Sequence, residues 1–392
     1  MAAADVEEKL EVAVIECSTP AARALNGIAH TNGLNCTAGL NPFCPNNTGY
    51  IEAELEAERI ISIVVPTIFG VIVLLGLLGN LLVIVVVMAD KHMRNTTNIL
   101  ILSLAVADLL FIVFCVPFTA VQYARSVWPF GSVWCKMVQY LIFVTAYLSV
   151  YTLVLMSLDR YLAVVHAIRS MSIRNERNTW MAVTVTWTVF FVVNVPLLLQ
   201  YDVLHYTHFG QNRSTCINIE HAVSDPNAGK VFQVCFLAFG YVIPLGVVCV
   251  MYGLMLKRLL YGVVPGGNQS QESIRAKKRV TRMVIVVVII FAVCWLPIQV
   301  ILVLQKFDLY PTTPPLIAVQ IASNVFAYTN SCVNPFLYAF LSDNFRRSFQ
   351  KFLCCSTQPS SRRMDYERTN IRYSEKDTKT TNNSSRVTKN DV

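Results

Sequence analysis

Asp108 stands in the run Leu104-Ala105-Val106-Ala107-Asp108, with no basic residue beside it and apolar sequence on both sides. A carboxylate at the centre of a bilayer costs about 2.5 to 3.5 kcal/mol on insertion scales, so it must be neutral, cation-bound or hydrogen-bonded. Asn80, Ser149, Asn330, Ser331 and Asn334 are the candidate partners. Oxygen ligands suit a hard cation such as Na+, and a protonated carboxyl in a polar cluster accounts equally well for the same residues. A second candidate is Asp159-Arg160-Tyr161. Exposed at a helix end, such a pair is worth less than about 1 kcal/mol. Arg160, however, continues the three- and four-residue steps of Gln139, Ile142, Ala146, Ser149 and Leu153, a face that points into a bundle. An Arg facing a bundle interior at the membrane edge is a functional candidate.

Cys135 lies 25 residues before Arg160. At 1.5 Å per helical residue that is about 38 Å, so the two residues belong to opposite membrane faces. Cys216 is the lone Cys of the segment between the fourth and fifth apolar runs, and on the oxidising side a disulfide with Cys135 is expected; two free thiols are the alternative. No pairing is assigned among Cys17, Cys36 and Cys44. The 12 Cys include no CxxC and no zinc-type spacing, so no metal is expected beyond a sodium ion. Pro117, Pro196, Pro244, Pro297 and Pro335 interrupt the apolar runs, as packing kinks or hinges. Trp295 with Phe291, and Asn334-Pro335-Phe336-Leu337-Tyr338, fit a hinge as well as a core. There is no HExxH, no GxSxG and no Asp pair at one depth, so an intramembrane enzyme is not expected.

These residues must be positioned by membrane helices. Of the 392 residues 54% are hydrophobic and only 14% charged, against about 25% charged in a soluble domain, which excludes a cytosolic enzyme and a disordered or collagen-like chain. The net charge of +8 gathers in short segments between apolar runs, which fits membrane asymmetry rather than nucleic acid. Seven runs reach the roughly 20 residues a span needs: 60–88, 98–124, 134–165, 179–199, 231–260, 280–305 and 315–341. The expected fold is all-α, a seven-helix bundle over 60–341. Lys and Arg crowd the segments after spans one, three and five, which predicts an outer amino terminus and an inner carboxyl terminus. The acidic start lacks the features of a cleavable signal, so the first span is expected to start insertion.

Asn35, Asn46 and Asn212 head sequons on the outer side, the first two making 1–59 an extracellular glycosylated segment; the sequons at Asn95, Asn268, Asn382 and Asn383 fall inside and read as chance. Within 342–353, Phe345, Phe349, Phe352 and Leu353 share one face opposite bases, an amphipathic helix expected to lie on the inner leaflet. Cys354 and Cys355 follow as palmitoylation candidates, and the polar remainder, 354–392, is expected to be a disordered cytoplasmic tail with phosphorylation sites.

In this order Gly79-Asn80, Asp108, Cys135, Asp159-Arg160-Tyr161, Trp187, Pro244 with Tyr252, Cys294-Trp295-Leu296-Pro297 and Asn334-Pro335-Phe336-Leu337-Tyr338 resemble the rhodopsin-like G protein-coupled receptors across nearly the whole membrane portion. Lys136-Met137-Val138-Gln139-Tyr140, Ser331-Cys332-Val333-Asn334-Pro335 and Leu341-Ser342-Asp343-Asn344-Phe345-Arg346 are similar to galanin-type receptors and most closely to insect allatostatin-A receptors. The resemblance implies an extracellular peptide agonist, outward movement of span six and activation of a heterotrimeric G protein of the Gi/o class at the plasma membrane. It also implies arrestin and receptor kinases on the tail, and no cofactor beyond an allosteric Na+ at Asp108, Ser149, Asn330 and Asn334. By the same resemblance Arg160 bonds Asp159 at rest and meets Tyr252 and Tyr338 or the G protein when active. Val150, Pro244 and Phe291 take the packing switch, Trp295 the toggle, and Ile168 the apolar contact with the G protein.

Departures are Lys277 where a second acid often holds the Arg, which predicts raised basal activity, and Ala167 where Pro is common. Ile142 stands where amine receptors place Asp, and Tyr328 where retinal proteins place Lys, so amines and retinal are poor ligands. Gln122, Gln139, Gln299, Gln305, Gln320 and Asn324, with Ile142, Phe143 and Leu302, form an uncharged mouth that suits a carboxamide, since an unpaired buried carboxylate is costly. That predicts an amidated Phe-Gly-Leu peptide; some of these Gln facing headgroups or one another is the alternative. A galanin-like peptide receptor is the nearest other reading. A transporter or channel through the Asp108 cluster is the competing class, disfavoured by the lack of an internal repeat.

Overall fold

The computed structural model describes residues 47–89, 95–208, 211–219, 226–261, 271–311, 313–341 and 343–353. Two compact units divide it, Met1–Arg346 and Arg347–Val392. Among the described residues of the first, seven helices are long and apolar enough to cross a membrane: Leu55–Ala89, Thr96–Ala124, Gly131–Val165, Glu176–Gln200, Gly229–Arg258, Thr281–Lys306 and Pro315–Phe340. Numbered in that order as spans one to seven, they match the seven predicted runs. A further helix, Asp343–Leu353, has nearly the expected bounds. Asn35, Asn46, Cys354, Cys355 and the tail lie outside the described residues.

The first helix starts at Asn47, well before the apolar run, because a helix extends into water wherever charged residues sustain it. Its outward face is apolar: Leu78 is 60% exposed while Phe69 and Val83 are fully buried. A face of this kind has lipid as its solvent. The inward face joins Val65, Phe69 and Ile72 of span one to Phe111, Cys115 and Val116 of span two, Ile298 of span six and Tyr328 and Cys332 of span seven. Tyr328 holds this core as an aromatic hub, stacked on Phe69 at 5.3 Å and edge-on to Phe111 at 4.8 Å.

The prolines shape the spans individually. Span two breaks at Cys115, between Thr96–Phe114 and Val116–Ala124, with Pro117 in the first turn of the second piece. That is where a residue lacking N–H is tolerated. Span five carries a π-helical turn, Ala238–Val242, just before Pro244. The ring of Pro244 meets the carbonyl four residues earlier, Gly240, and the wider turn makes room for it. In span seven Pro335 leaves the Ser331 carbonyl without its helical donor, and Asn80 of span one supplies one, Nδ2 donating at 3.0 Å. The helices must be close for this contact: a Cβ on Gly79 would sit 3.0 Å from the Pro335 ring.

Between spans four and five, β1 (Tyr201–His208) and β2 (Gln211–Asn218) form an antiparallel hairpin with Val203 opposite Cys216. The chain between spans two and three adds a short third edge: Trp128 N donates to the Ser214 carbonyl at 3.0 Å, and Ser214 N to Ser126 at 3.1 Å.

Candidate functional site

At the Arg160 end of span three, Asp159 and Arg160 are both over nine-tenths buried, which a surface pair would not be. Asp159 Oδ2 accepts from Thr97 Oγ1 at 2.9 Å and Arg160 Nε at 3.1 Å, while Oδ1 accepts from Thr96 Oγ1 at 3.0 Å and Arg174 Nε at 2.8 Å. Arg160 Nη2 bonds both Asp159 and Thr97. One carboxylate thus gathers two guanidinium groups and two hydroxyls from three parts of the chain, which is how a buried ion pair recovers its desolvation cost. The sequence pointed to Asp159 and Arg160 but not to Thr96, Thr97 or Arg174. A signal was present: Asn95 caps span two by accepting from Asn98 N at 3.0 Å, so the sequon there is a helix start whose first turn faces Asp159. Tyr161 bonds locally, its hydroxyl 3.3 Å from His166 Nε2. Ile168, in the segment after span three, is 81% exposed, an apolar side chain presented outward. The side chain of Lys277 lies outside the described residues.

Half-way along the bundle Asp108 is fully buried. Asn334 Nδ2 donates to its Oδ2 at 2.7 Å, and the hydroxyls of Ser331 and Ser149 stand beside the carboxyl. Among the described residues, Asp108 Oδ1, Asn330 Oδ1 and Asn334 Oδ1 are buried acceptors with no donor. A small cavity lies among Phe111, Thr145, Ala146, Ser149, Trp295, Asn330 and Ser331. The structure therefore brings all four predicted sodium residues into one region, where three buried acceptor oxygens lack a partner among the described residues. Of the predicted switch residues, Trp295 lines this cavity. Val150, Phe291 and Tyr338 are buried, and the Phe291 and Trp295 rings are 5.9 Å apart. Pro244 is buried in span five, and Tyr241, three residues before it, donates its hydroxyl to the Ala292 carbonyl of span six at 2.7 Å. Pro297 lies inside the span-six helix. Tyr252 of span five has its ring hydroxyl near Ser157, within electrostatic reach of Arg160.

At the hairpin end the disulfide Cys135–Cys216 is formed, closing 81 residues of sequence, with Cα atoms 5.5 Å apart. Trp128 and Cys135 pack with Cys216 as a small core. A second fastening, unforeseen from sequence, joins Arg213 of the hairpin to Glu58 of span one by two hydrogen bonds, 2.8 and 3.1 Å. Glu58 raises the Arg213 pKa from the ordinary guanidinium value, first through these bonds. Lys136 and Asp202 make a third, half-exposed link at 3.2 Å; hydrogen bonding, from Ser132 foremost, holds the Asp202 carboxyl below the usual carboxylate range. Asn212 is exposed on β2.

The predicted mouth residues divide into two groups. Gln122 donates to Thr215 Oγ1 and the Cys216 carbonyl, both at 3.3 Å, and Gln139 Nε2 lies 3.9 Å from Cys216 Sγ, so both address the hairpin. Gln305 donates to Gln320 at 2.8 Å, tying span six to span seven, and Asn324 to the Tyr123 hydroxyl at 3.4 Å. Gln299 is 1% exposed and its Oε1 has no donor among the described residues. Ile142 and Leu302 pack on the central core, and the Phe143 ring lies 4.9 Å from Phe236 and 5.3 Å from Phe232 of span five.

A buried Asp-Arg pair at one end of span three, a disulfide at the other and a polar cluster between them lie within residues 79–338, the stretch matched by the family described as "7 transmembrane receptor (rhodopsin family)". The chain belongs to that family. Relatives are similar along most of this receptor. The allatostatin-A receptor of Bombyx mori is 50% identical over 329 residues, 83% of this chain and 90% of its own. The galanin-like G-protein coupled receptor npr-9 of Caenorhabditis elegans is 42% identical over 75% of this chain and 74% of its own. Galanin receptor type 1 of Homo sapiens is 36% identical over 79% and 86%. The receptor is thus a multi-pass membrane protein of a signalling family rather than an enzyme.

Proposed function

We propose that this receptor sits in the plasma membrane with its amino terminus outside, binds a C-terminally amidated neuropeptide of the allatostatin-A type, and activates a heterotrimeric G protein of the Gi/o class. The observation that carries the ligand class is the uncharged mouth: amides at Gln299, Gln305, Gln320 and Asn324 beside Ile142, Phe143 and Leu302. A carboxamide suits such a surface, whereas a carboxylate would be desolvated without a cation. The name of the Bombyx relative supports the same ligand, and the galanin-named relatives support a peptide.

The resting arrangement has Arg160 held by Asp159. An agonist that favours a form with span six moved outward shifts the population toward free Arg160, in proportion to its differential affinity for the two forms. Arg160 then meets Tyr252, Tyr338 or the G protein, with Ile168 as the apolar contact. Asp108, Ser149, Asn330 and Asn334 would hold a sodium ion, since the orphaned oxygens are all acceptors. Bound there, the ion supplies the positive charge that a buried carboxylate lacks. Asp108→Asn is expected to abolish the sodium sensitivity of agonist affinity, checked by competition binding with and without NaCl. The tail, with arrestin and kinases acting on it, and glycans on Asn35, Asn46 and Asn212 complete the reading, as do palmitates on Cys354 and Cys355.

The test is G protein dissociation in cells expressing the receptor at the surface. Peptides ending in Phe-Gly-Leu-amide are compared with galanin-type peptides, with Gi/o separated by pertussis toxin. A nanomolar response to the Phe-Gly-Leu-amides alone is expected. Response to galanin types alone would move the ligand to the other subfamily.

A further inference from the structure

Two amide side chains in the upper bundle each leave one buried polar atom with no hydrogen-bond partner among the described residues. Gln299 of span six, a mouth residue above, leaves an acceptor, Oε1, and Gln233 of span five leaves a donor, Nε2; they are 1% and 5% exposed. A buried unpaired amide atom costs about 1–3 kcal/mol, so a donor and an acceptor at one level of spans five and six call for an occupant. Their level is fixed by contacts between the same two spans. Above them the Lys230 ammonium lies 5.7 Å from the Phe307 ring centre, and below them the Tyr241 hydroxyl bonds the Ala292 carbonyl at 2.7 Å. Gln233 falls between Lys230 and Tyr241, and Gln299 between Ala292 and Phe307. One turn below Gln233, Phe236 packs against Phe143 of span three at 4.9 Å; one turn below Gln299, Trp295 stands 5.9 Å from Phe291. Both glutamines therefore continue inward faces.

We infer that Gln233 is a specificity-determining residue that, with Gln299, receives the terminal carboxamide of the peptide, an inference resting on the amidated-peptide reading above. A primary carboxamide carries an N–H for Gln299 Oε1 and a carbonyl for Gln233 Nε2, so one group satisfies both. A carboxylate has acceptors only. It would satisfy Gln233, leave Gln299 Oε1 facing a negative oxygen, and find its nearest named cation, Lys230, engaged over Phe307. The pair thus discriminates amide from acid by the donor that the acid lacks, which is how polar sites reject an analogue missing one hydrogen bond.

The experiment uses the full-length receptor in cells, quantified at the surface, with a synthetic peptide ending in Phe-Gly-Leu-amide and its free-acid twin. The readout is the ratio of their potencies in G protein dissociation. Gln233→Leu is expected to cut amide potency about tenfold or more while leaving the acid nearly unchanged, so that the ratio collapses. Gln233→Lys, which presents a cation, is expected to reverse the trend by improving the acid. A wild-type amide-to-acid ratio retained in both variants would overturn the role of Gln233 while leaving the peptide reading intact. Wild-type receptor silent to both peptides would overturn the peptide reading and this inference with it.

Discussion

The two ends of span three are fastened by different chemistry. At the hairpin end Cys135 is covalently bound, and Glu58–Arg213 and Lys136–Asp202 add ion pairs around the same hairpin. At the other end Arg160 is held, among the described residues, by Asp159 and Thr97, through bonds that exchange without chemistry, while Arg174 keeps Asp159 in place from the opposite side. A ligand-binding end, as proposed for the hairpin side, gains from preorganisation, because each side chain or loop already ordered lowers the cost of association. A signalling end gains from reversibility, because a switch needs two arrangements a few kcal/mol apart.

Removing the covalent fastening should have the largest effect. Closing 81 residues is worth about 4.5 kcal/mol by chain entropy, so Cys135→Ala or Cys216→Ala is expected to abolish agonist response and most surface expression, read by flow cytometry and the dissociation sensor. Next, Asp159→Asn removes the charge that both arginines share. Breaking a buried pair costs about 3–5 kcal/mol, and here it should appear as basal G protein activation roughly tenfold above wild type at equal expression. Glu58→Gln should act at the other end only: agonist potency falls by about tenfold and basal activity stays put, since the lost bonds hold the hairpin and not Arg160. A rise in basal activity in that variant would break the comparison.

The smallest effect is expected at Lys136–Asp202, half-exposed and worth less than about 1 kcal/mol. Its pH behaviour follows from sign. The folded Asp202 pKa is depressed, so its contribution is present above the ordinary carboxylate value of 3.8 and is lost only as pH falls below it toward the folded value. Agonist binding measured between pH 7.5 and pH 5 should show no step from this residue.

The legible part of the fold was the part that lipid dictates. Seven apolar runs gave seven spans, and helical steps placed Arg160 on an inward face. What escaped were pairings between distant segments, such as Glu58 with Arg213, 155 residues apart, or Arg174 with Asp159. Hydrophobic periodicity reports which face of a helix is buried and carries no information about which polar group waits on the next helix. The same reason explains the glutamines: that some face one another was one of the two readings, and Gln305 with Gln320 bears it out, but which pair would bond, and that Gln122 holds the hairpin, was not readable. The break of span two at Cys115 and the wide turn before Pro244 were flagged only as prolines, since the local backbone response depends on neighbours.

That wide turn, Ala238–Val242, amounts to a spare residue in the ladder of span five. Winding it tight would re-index everything above it by one position, and one helical residue is about 100° of rotation. Phe232, Gln233 and Phe236 all lie on the far side of it from Tyr252, so a single-residue deletion there would aim the three of them at a different neighbour without altering any of their identities.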